Sequence, residues 1–450
     1  MKRIALAVIV STLAFLVVAG TFSFSIAQDS WVSKAGMTSG RSGLGVAVVD
    51  TKIYAIGGAS ASGFCPVNEQ YNSTIGTWTF KAPMPTSRSA FGIAVFQNKI
   101  YCIGGYAMNA NNKGDATGVN EVYDPATDTW QTKTPMLEPS LNMRANVVDG
   151  KIYLMGGGTN GTINQVYDPT SDLWTTKASV PTAVSSYASA VIGSKIYIFT
   201  YNLTQIYNAE NDSWSLGAPA PSPVLLGTAG ATTGMFAPER IYVFGIDAQP
   251  PFWQLTTKGF IVQSYDPQTD NWTICASIPT GRYDVGVAVV DDLLYVIGGF
   301  TTSFNSERFT PNPTYTYSTL NQQYTPIGYG TLPTTISFLS PENTTYSSGN
   351  ISLAFTTNKP VTWMGYSLDG QEKVTITGNT TLTELPSGLH NVTVYAKDQF
   401  GNNASSETVK FGIADPEVSP TTFAAIGSGA SVAVIFAGAL VYFKKRKTHS

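Results

Sequence analysis

The sequence predicts an all-β protein: an array of six four-stranded units, then a second β domain, with one apolar C-terminal segment after it. Three observations predict this. Tyr recurs at 54, 101, 153, 197, 242 and 295, each inside a strand pattern such as KIYAIGG or KIYLMGG. A second series, Tyr71, Tyr123, Tyr167, Tyr207 and Tyr265, is followed seven residues on by Trp78, Trp130, Trp174, Trp214 and Trp272. The 450 residues include 42 Gly, 25 Pro and 23 Tyr but are only 12% charged, which suits short strands in tight turns and excludes a disordered chain.

At the N-terminus, Met1-Lys2-Arg3 precedes an apolar run from Ile4 to Gly20 and the small-residue pattern Ser25-Ile26-Ala27. This is the layout of a cleaved secretory signal, predicted over residues 1–27. Near the other end, residues 421–443 carry no charge and are followed by Lys444-Lys445-Arg446-Lys447. As a helix at ~1.5 Å per residue they reach about 34 Å, enough for a hydrocarbon core. The cations predict a single span with residues 444–450 in the cytoplasm and everything before it outside. Between signal and span lie 20 basic against 29 acidic residues, a net charge of −9. That balance argues against a nucleic-acid partner, which needs a basic footprint.

The units themselves come next. Three residues after each first-series Tyr stand Gly57, Gly104, Gly156, Thr200, Gly245 and Gly298, doubled in four of the six copies. Segments such as YDPATDTW and YDPQTDNW place a turn between two strands. Spacings of 44 to 53 residues between first-series tyrosines accommodate one four-stranded blade each. With its double Gly and spaced Tyr and Trp, residues from about 29 to about 330 resemble the kelch repeat family of β-propellers. The resemblance implies a six-bladed kelch β-propeller over residues 28–331. Thr200-Tyr201 and Gly245-Ile246 depart from the double Gly, so blades four and five are degenerate copies. The aromatic series are expected to pack between blades rather than to meet a ligand.

Ring closure is also predicted. Tyr324, in LNQQYTP, has no Trp seven residues on, whereas Trp31, in WVSKAGM, has no Tyr before it. Residues 29–37 are therefore expected to supply the outer strand of blade six, which removes exposed edges.

From Leu332 the repeat stops. Alternating runs such as ISLAF, KVTIT and HNVTVYAKD predict a β-sandwich over residues 332–413. GLHNVTVYAKDQFGNNASSETVKF resembles the last hairpin of bacterial and archaeal immunoglobulin-like modules, which implies an immunoglobulin-like spacer. Residues 414–420 form a stiff linker into the span. Ten Asn-x-Ser/Thr sequons, at Asn72, Asn160, Asn202, Asn211, Asn271, Asn343, Asn350, Asn379, Asn391 and Asn403, are candidate glycosylation sites. The whole layout resembles archaeal cell-surface kelch proteins.

The chemistry available is limited. Cys65, Cys102 and Cys275 share no metal spacing and are read as buried or idle thiols, so no metal or cofactor is expected. Copper radical oxidases built on kelch blades need histidine ligands, and the two histidines, His390 and His449, both lie outside the propeller. The Trp segments also lack the boxes of sialidases. Sialic-acid mutarotases have six kelch blades, and the resemblance to them implies a pocket in which Asp284 of GRYDVG is the sole acidic residue.

Binding is the preferred expectation: a membrane-anchored cell-surface recognition or adhesion protein that holds an extracellular protein or glycan ligand. In kelch propellers the pocket face is lined by residues before the innermost strand and after the double Gly. Those registers are Ser42, Ser89, Asn142, Ser185, Ser186, Tyr283 and Asp284, with Tyr106, Tyr201 and Phe300 after the double-Gly position. Long loops in copies five and six add Trp253, Phe304, Phe309, Tyr315 and Tyr317. Rings that stack and hydroxyls that orient suit a sugar or a peptide strand, although loops of this length equally suit a cover over the channel. Arg41, Arg88 and Arg282 share one register and either hold a carboxylate or brace neighbouring blades.

Overall fold

The computed structural model describes residues 27–158, 160–249, 254–302 and 314–415, and all regular elements among them are strands. Residues 1–26 of the predicted signal, 416–420 of the linker, the span and its tail, and Trp253, Phe304 and Phe309 lie outside the described residues. No helix among the described residues is long and apolar enough to cross a membrane. The described residues form two compact units: 27–333 with 399–402, and 334–398 with 403–415.

Unit one contains six antiparallel four-stranded sheets, one per repeat. Their innermost strands are Gly45–Val49, Gly92–Phe96, Arg144–Val148, Ala188–Ile192, Leu225–Ala231 and Gly286–Val290. Each packs against the next, and the sixth packs against the first, which closes the ring around a channel. The first-series tyrosines sit on the second strands and the second-series tyrosines on the third, all buried between blades. Val and Ile alternate with them, so every blade face contributes to one of six apolar clusters.

The sixth sheet is mixed in chain origin. Ser30–Lys34 pairs antiparallel with Asn321–Thr325, and Trp31 stands opposite Tyr324. This is the expected closure by the N-terminal segment, in the expected register.

One hydrogen-bonding motif repeats between blades. The residue four after each Trp uses its carbonyl to accept the indole Nε1–H of the next blade: Trp78 to Ala35, Trp130 to Ala82, Trp174 to Thr134, Trp214 to Ala178, Trp272 to Ala218 and Trp31 to Ala276, at 2.7–3.1 Å. In five of these junctions the same residue donates its N–H to an Asp two positions before that Trp: Asp128, Asp172, Asp212, Asp270 and Asp29. Each of these aspartates also accepts the buried second-series Tyr hydroxyl of its own blade, as Tyr123 does to Asp128. Every one has a positive φ of 50–57°, a conformation that Asp tolerates better than most residues. Blade one is the exception, with Gly76 (φ 71°) where the others have Asp.

Unit two is a pair of sheets over a shared apolar core. Ile336–Ser340, Ile351–Thr357 and Thr380–Leu382 form one sheet; the other is centred on Gly388–Asp398, flanked by Val361–Leu368 and Val409–Ile413. Inward residues such as Leu353, Val392, Val394 and Phe411 alternate with exposed ones, as a two-layer β domain requires. Lys359 and Asp398 make a fully buried ion pair at 2.8 Å within it.

Candidate functional site: the channel mouth of the propeller

The channel is narrowed by six residues, one from each blade, that all take left-handed backbone: Gly43, Ala90, Asn142, Ser186, Leu226 and Asp284, with φ of 46–58°. They precede the innermost strands or, in blade five, sit in the bulge of that strand. Their backbones are linked in sequence. Gly43 N–H donates to Asp284 O, Ala90 to Gly43, Asn142 to Ala90 and Ser186 to Asn142, at 2.8–3.1 Å. The chain of bonds stops at Leu226, where the β-bulge shifts the register. Inside this collar is a cavity of about 20 Å³ lined by Asn142, Ser186 and Asp284 among others. That is room for one water molecule.

Three of the sequence-derived site residues therefore meet: Asn142, Ser186 and Asp284. Burial pushes the Asp284 carboxyl above its ordinary range, and the Arg144 charge opposes that shift. Ser42 and Ser89 do not reach the cavity lining. Both are buried, Ser42 bridged to Ala59 and Ser89 paired with Tyr106. Ser185 is exposed beside Ser186. Tyr201 is half-buried with φ 51° and bridges to Val224.

Aromatic residues gather outside the collar. Tyr283 bridges to Phe300, and their rings stack at 5.2 Å. Phe260 meets Tyr283 at 5.0 Å and Tyr315 meets Phe300 at 5.4 Å, both edge-on, so four rings make one row across blades five and six. Phe64 and Tyr106 form a second edge-on pair from blades one and two. Tyr106, Met108 and Tyr315 are exposed at 37%, 61% and 51%.

The arginine register braces rather than recognises. Arg41 bonds Glu69 at 2.9 Å and the carbonyls of Gly57 and Val67. Arg88 bonds Glu121 at 2.5 Å and Cys102 O. Arg282 has neutral Gln322 in the place of that Glu, at 2.5 Å, and burial lowers its pKa to about 10. The three cysteines are free; Cys102 and Cys275 are buried, and desolvation lifts Cys102 to about 12, so they stay as thiols. No cluster of metal-ligating side chains occurs among the described residues. Eight of the ten sequon asparagines are exposed, and Asn72 and Asn391 are half-buried.

Arg144 is the residue that reading by register missed. The innermost strands of blades one, two, four and six begin with Gly45, Gly92, Ala188 and Gly286, whereas blade three begins with Arg144. Its guanidinium crosses the channel, donating from Nε to Tyr187 O of blade four at 3.1 Å and from Nη2 to Gly227 O of blade five at 2.8 Å. An arginine in a small-residue register, nine before Tyr153, was the available signal.

Comparison with known proteins agrees with this architecture. The Kelch motif matches residues 40–85 and 87–137, which cover blades one and two. The chain is 31% identical over 132 residues to Kelch-like protein terF of Aspergillus terreus, covering 28% of this chain and 27% of that one. It is 26% identical over 195 residues to Kelch-like protein 26 of Danio rerio, covering 41% and 31%. The match thus spans about a third or less of these relatives' own length. Among solved structures, that of YjhT covers 63% of this chain and 99% of its own at a TM-score of 0.51 and 14% identity, a likeness of fold alone. Together these findings support a kelch-repeat protein.

Proposed function

We propose that the chain is a membrane-anchored cell-surface recognition or adhesion protein, whose propeller holds a protein or glycan partner on the aromatic rim of its channel mouth. The immunoglobulin-like assignment of the second unit, its role as a spacer, the glycans and the archaeal surface setting belong to the same proposal. One observation carries it: rows of rings, partly exposed, surround a collar whose central cavity admits a single water. A partner laid across such a rim gains apolar and stacking contact without entering the channel.

A second reading, a sugar-converting enzyme of the mutarotase type, draws on Asp284. Acid–base turnover of a sugar needs a site of some 300 Å³ or more and partnered groups. The cavity at Asp284 offers about 20 Å³. Capture from glycan arrays and surface extracts with the purified full chain tests the first reading. The double variant Tyr106→Ala/Tyr315→Ala is expected to lose at least tenfold in capture, and unchanged capture contradicts the rim as the site. NMR of sialic-acid anomers in the presence of the protein tests the second, and anomer exchange that disappears in Asp284→Asn would favour it.

A further inference from the structure

Arg144 lies between two spaces. On one side is the small cavity with Asp284; on the other is a chamber of about 120 Å³ deeper in the channel. That is some six times the volume of the cavity at Asp284. Leu44, Val46, Phe91, Ile93 and Val287 stand around it, most of its exposed wall is nonetheless polar, and no carboxylate lines it. Among the described residues no carboxylate stands within ion-pair distance of Arg144; its hydrogen bonds go to two neutral carbonyls, and Asp284 acts on its charge from across the small cavity. Its Nη1 makes no hydrogen bond among them either.

Besides Arg144, the polar side chains that line the chamber are the hydroxyls of Thr228 and Ser189. Thr228 lines it with a hydroxyl that bonds no described side chain or carbonyl. Ser189 also lines it and donates to Asn146 Oδ1 at 3.0 Å, which leaves the amide Nδ2 of Asn146 as a donor without a partner. Asn146 is 5% exposed. A half-buried guanidinium with an unbonded N–H, beside an unbonded hydroxyl in a chamber that no carboxylate lines, suits a small anion.

We propose that the chamber behind Arg144 binds a small monovalent anion, of the size of chloride, nitrate or formate, held by the Arg144 guanidinium and the Thr228 hydroxyl. Glycine and alanine in the equivalent places of blades one, two, four and six leave the guanidinium space to project across the channel. The site is independent of the rim and of any partner bound there. A bound anion would neutralise the cation at the centre of the ring and tie blades three, four and five to one charge.

The test uses the purified full chain. Sodium chloride, nitrate and formate at about 0.1 M are compared with sodium gluconate, which is too large for the chamber, in thermal unfolding. The three small anions are expected to raise Tm by about 2 °C or more over gluconate, and Arg144→Met is expected to abolish the difference. In parallel, wild-type crystals soaked in bromide are expected to show an anomalous scattering peak beside Arg144 in the chamber. A Tm independent of the anion together with no bromide peak overturns the proposal. If Arg144→Met does not fold, the bromide peak in the wild type decides alone.

Discussion

Tyr324 donates its hydroxyl to Asp29 at 2.6 Å, a bond between residues 295 positions apart in the chain. Asp29 also accepts the N–H of Ala276, and Trp31 donates to the carbonyl of the same Ala276. The N-terminal segment thus brings to blade six the same Asp and Trp that blades two to five carry within their own repeats. The ring is closed by copying the junction used everywhere else.

Loss of that carboxylate should be costly. Asp29→Ala strands a buried Tyr hydroxyl and an inter-blade N–H, and a stability loss of about 1–3 kcal/mol is expected. Asp212→Ala removes the equivalent two bonds at a junction whose Asp, Tyr and Trp all come from one continuous repeat, Tyr207 of its own blade and Ala178 of the preceding one being the donors. Denaturant unfolding of both variants should give losses of similar size; an unchanged midpoint for Asp29→Ala would mean that the closure is not built on this residue.

Blade one offers the converse change. Gly76 has the left-handed backbone of the five aspartates, and around its missing side chain only the Tyr71 hydroxyl approaches, at 3.9 Å. Gly76→Asp should complete the junction with Tyr71 and Ala35 and reduce the freedom of the unfolded chain. A gain of about 1 kcal/mol is expected by thermal or chemical unfolding, and a loss would show that the turn cannot hold the carboxylate.

Arg282 is a third place where one repeat departs from its neighbours. Glu69 and Glu121 answer Arg41 and Arg88, but Gln322 answers Arg282. Gln322→Glu is expected to raise stability by about 1 kcal/mol, because a hydrogen bond to a charged acceptor is stronger than one to an amide. Equal or lower stability of the variant would show that desolvating the new carboxylate cancels the gain.

Much of this was legible in the sequence, and the limits are physical. Tyr and Trp at fixed spacing report strands and blades, because each ring fills the same gap between neighbouring sheets. An orphan Trp31 and an orphan Tyr324 were enough to predict their pairing. The recurring Asp two before Trp was equally visible, yet its role depends on a donor 34 to 52 residues away in the preceding blade, or 247 away at the closure, which spacing alone does not reveal. The same reason left the arginines open: Glu69 and Glu121 lie two strands over. Ser42 and Ser89 matched the pocket register in number, but their backbones are drawn into strand bridges and their side chains into the interior. The left-handed collar leaves no common residue type, since Gly, Ala, Asn, Ser, Leu and Asp all adopt it.

Protonation gives the fourth prediction. Both ring nitrogens of His390 face acceptors, Asp369 Oδ2 at 2.8 Å and Pro386 O at 2.9 Å, so both must donate and the ring is cationic in this arrangement. The Pro386 carbonyl first, then Asp369, raises its pKa above the ordinary value of 6.5. A raised folded pKa means that the stabilisation is complete below about 6.5 and is lost as pH rises through the folded value. An NMR titration of the His390 ring should place its midpoint above 6.5, and a midpoint below it contradicts the geometry.

At acid pH the junction aspartates act in the opposite sense. The Tyr123 hydroxyl holds Asp128 below its ordinary value; in Asp172 and Asp212 burial pulls upward, but bonds from Tyr167 and Tyr207 and from backbone N–H groups prevail. Depressed carboxyls stabilise the fold above about pH 4 and cease to do so as pH falls through their folded values. Unfolding midpoints of the propeller should therefore drop steeply below pH 4, and Asp128→Asn should flatten that limb.

The central claim is that a partner sits on the aromatic rim of the propeller. Hydrogen–deuterium exchange of the full chain, with and without the captured protein or glycan, tests it most directly. Protection concentrated in residues 59–65, 104–116, 298–302 and 314–317, with the outer strands of the blades unchanged, is the predicted result. Protection confined to those outer strands or to residues 388–413, with the rim exchanging freely, would contradict it.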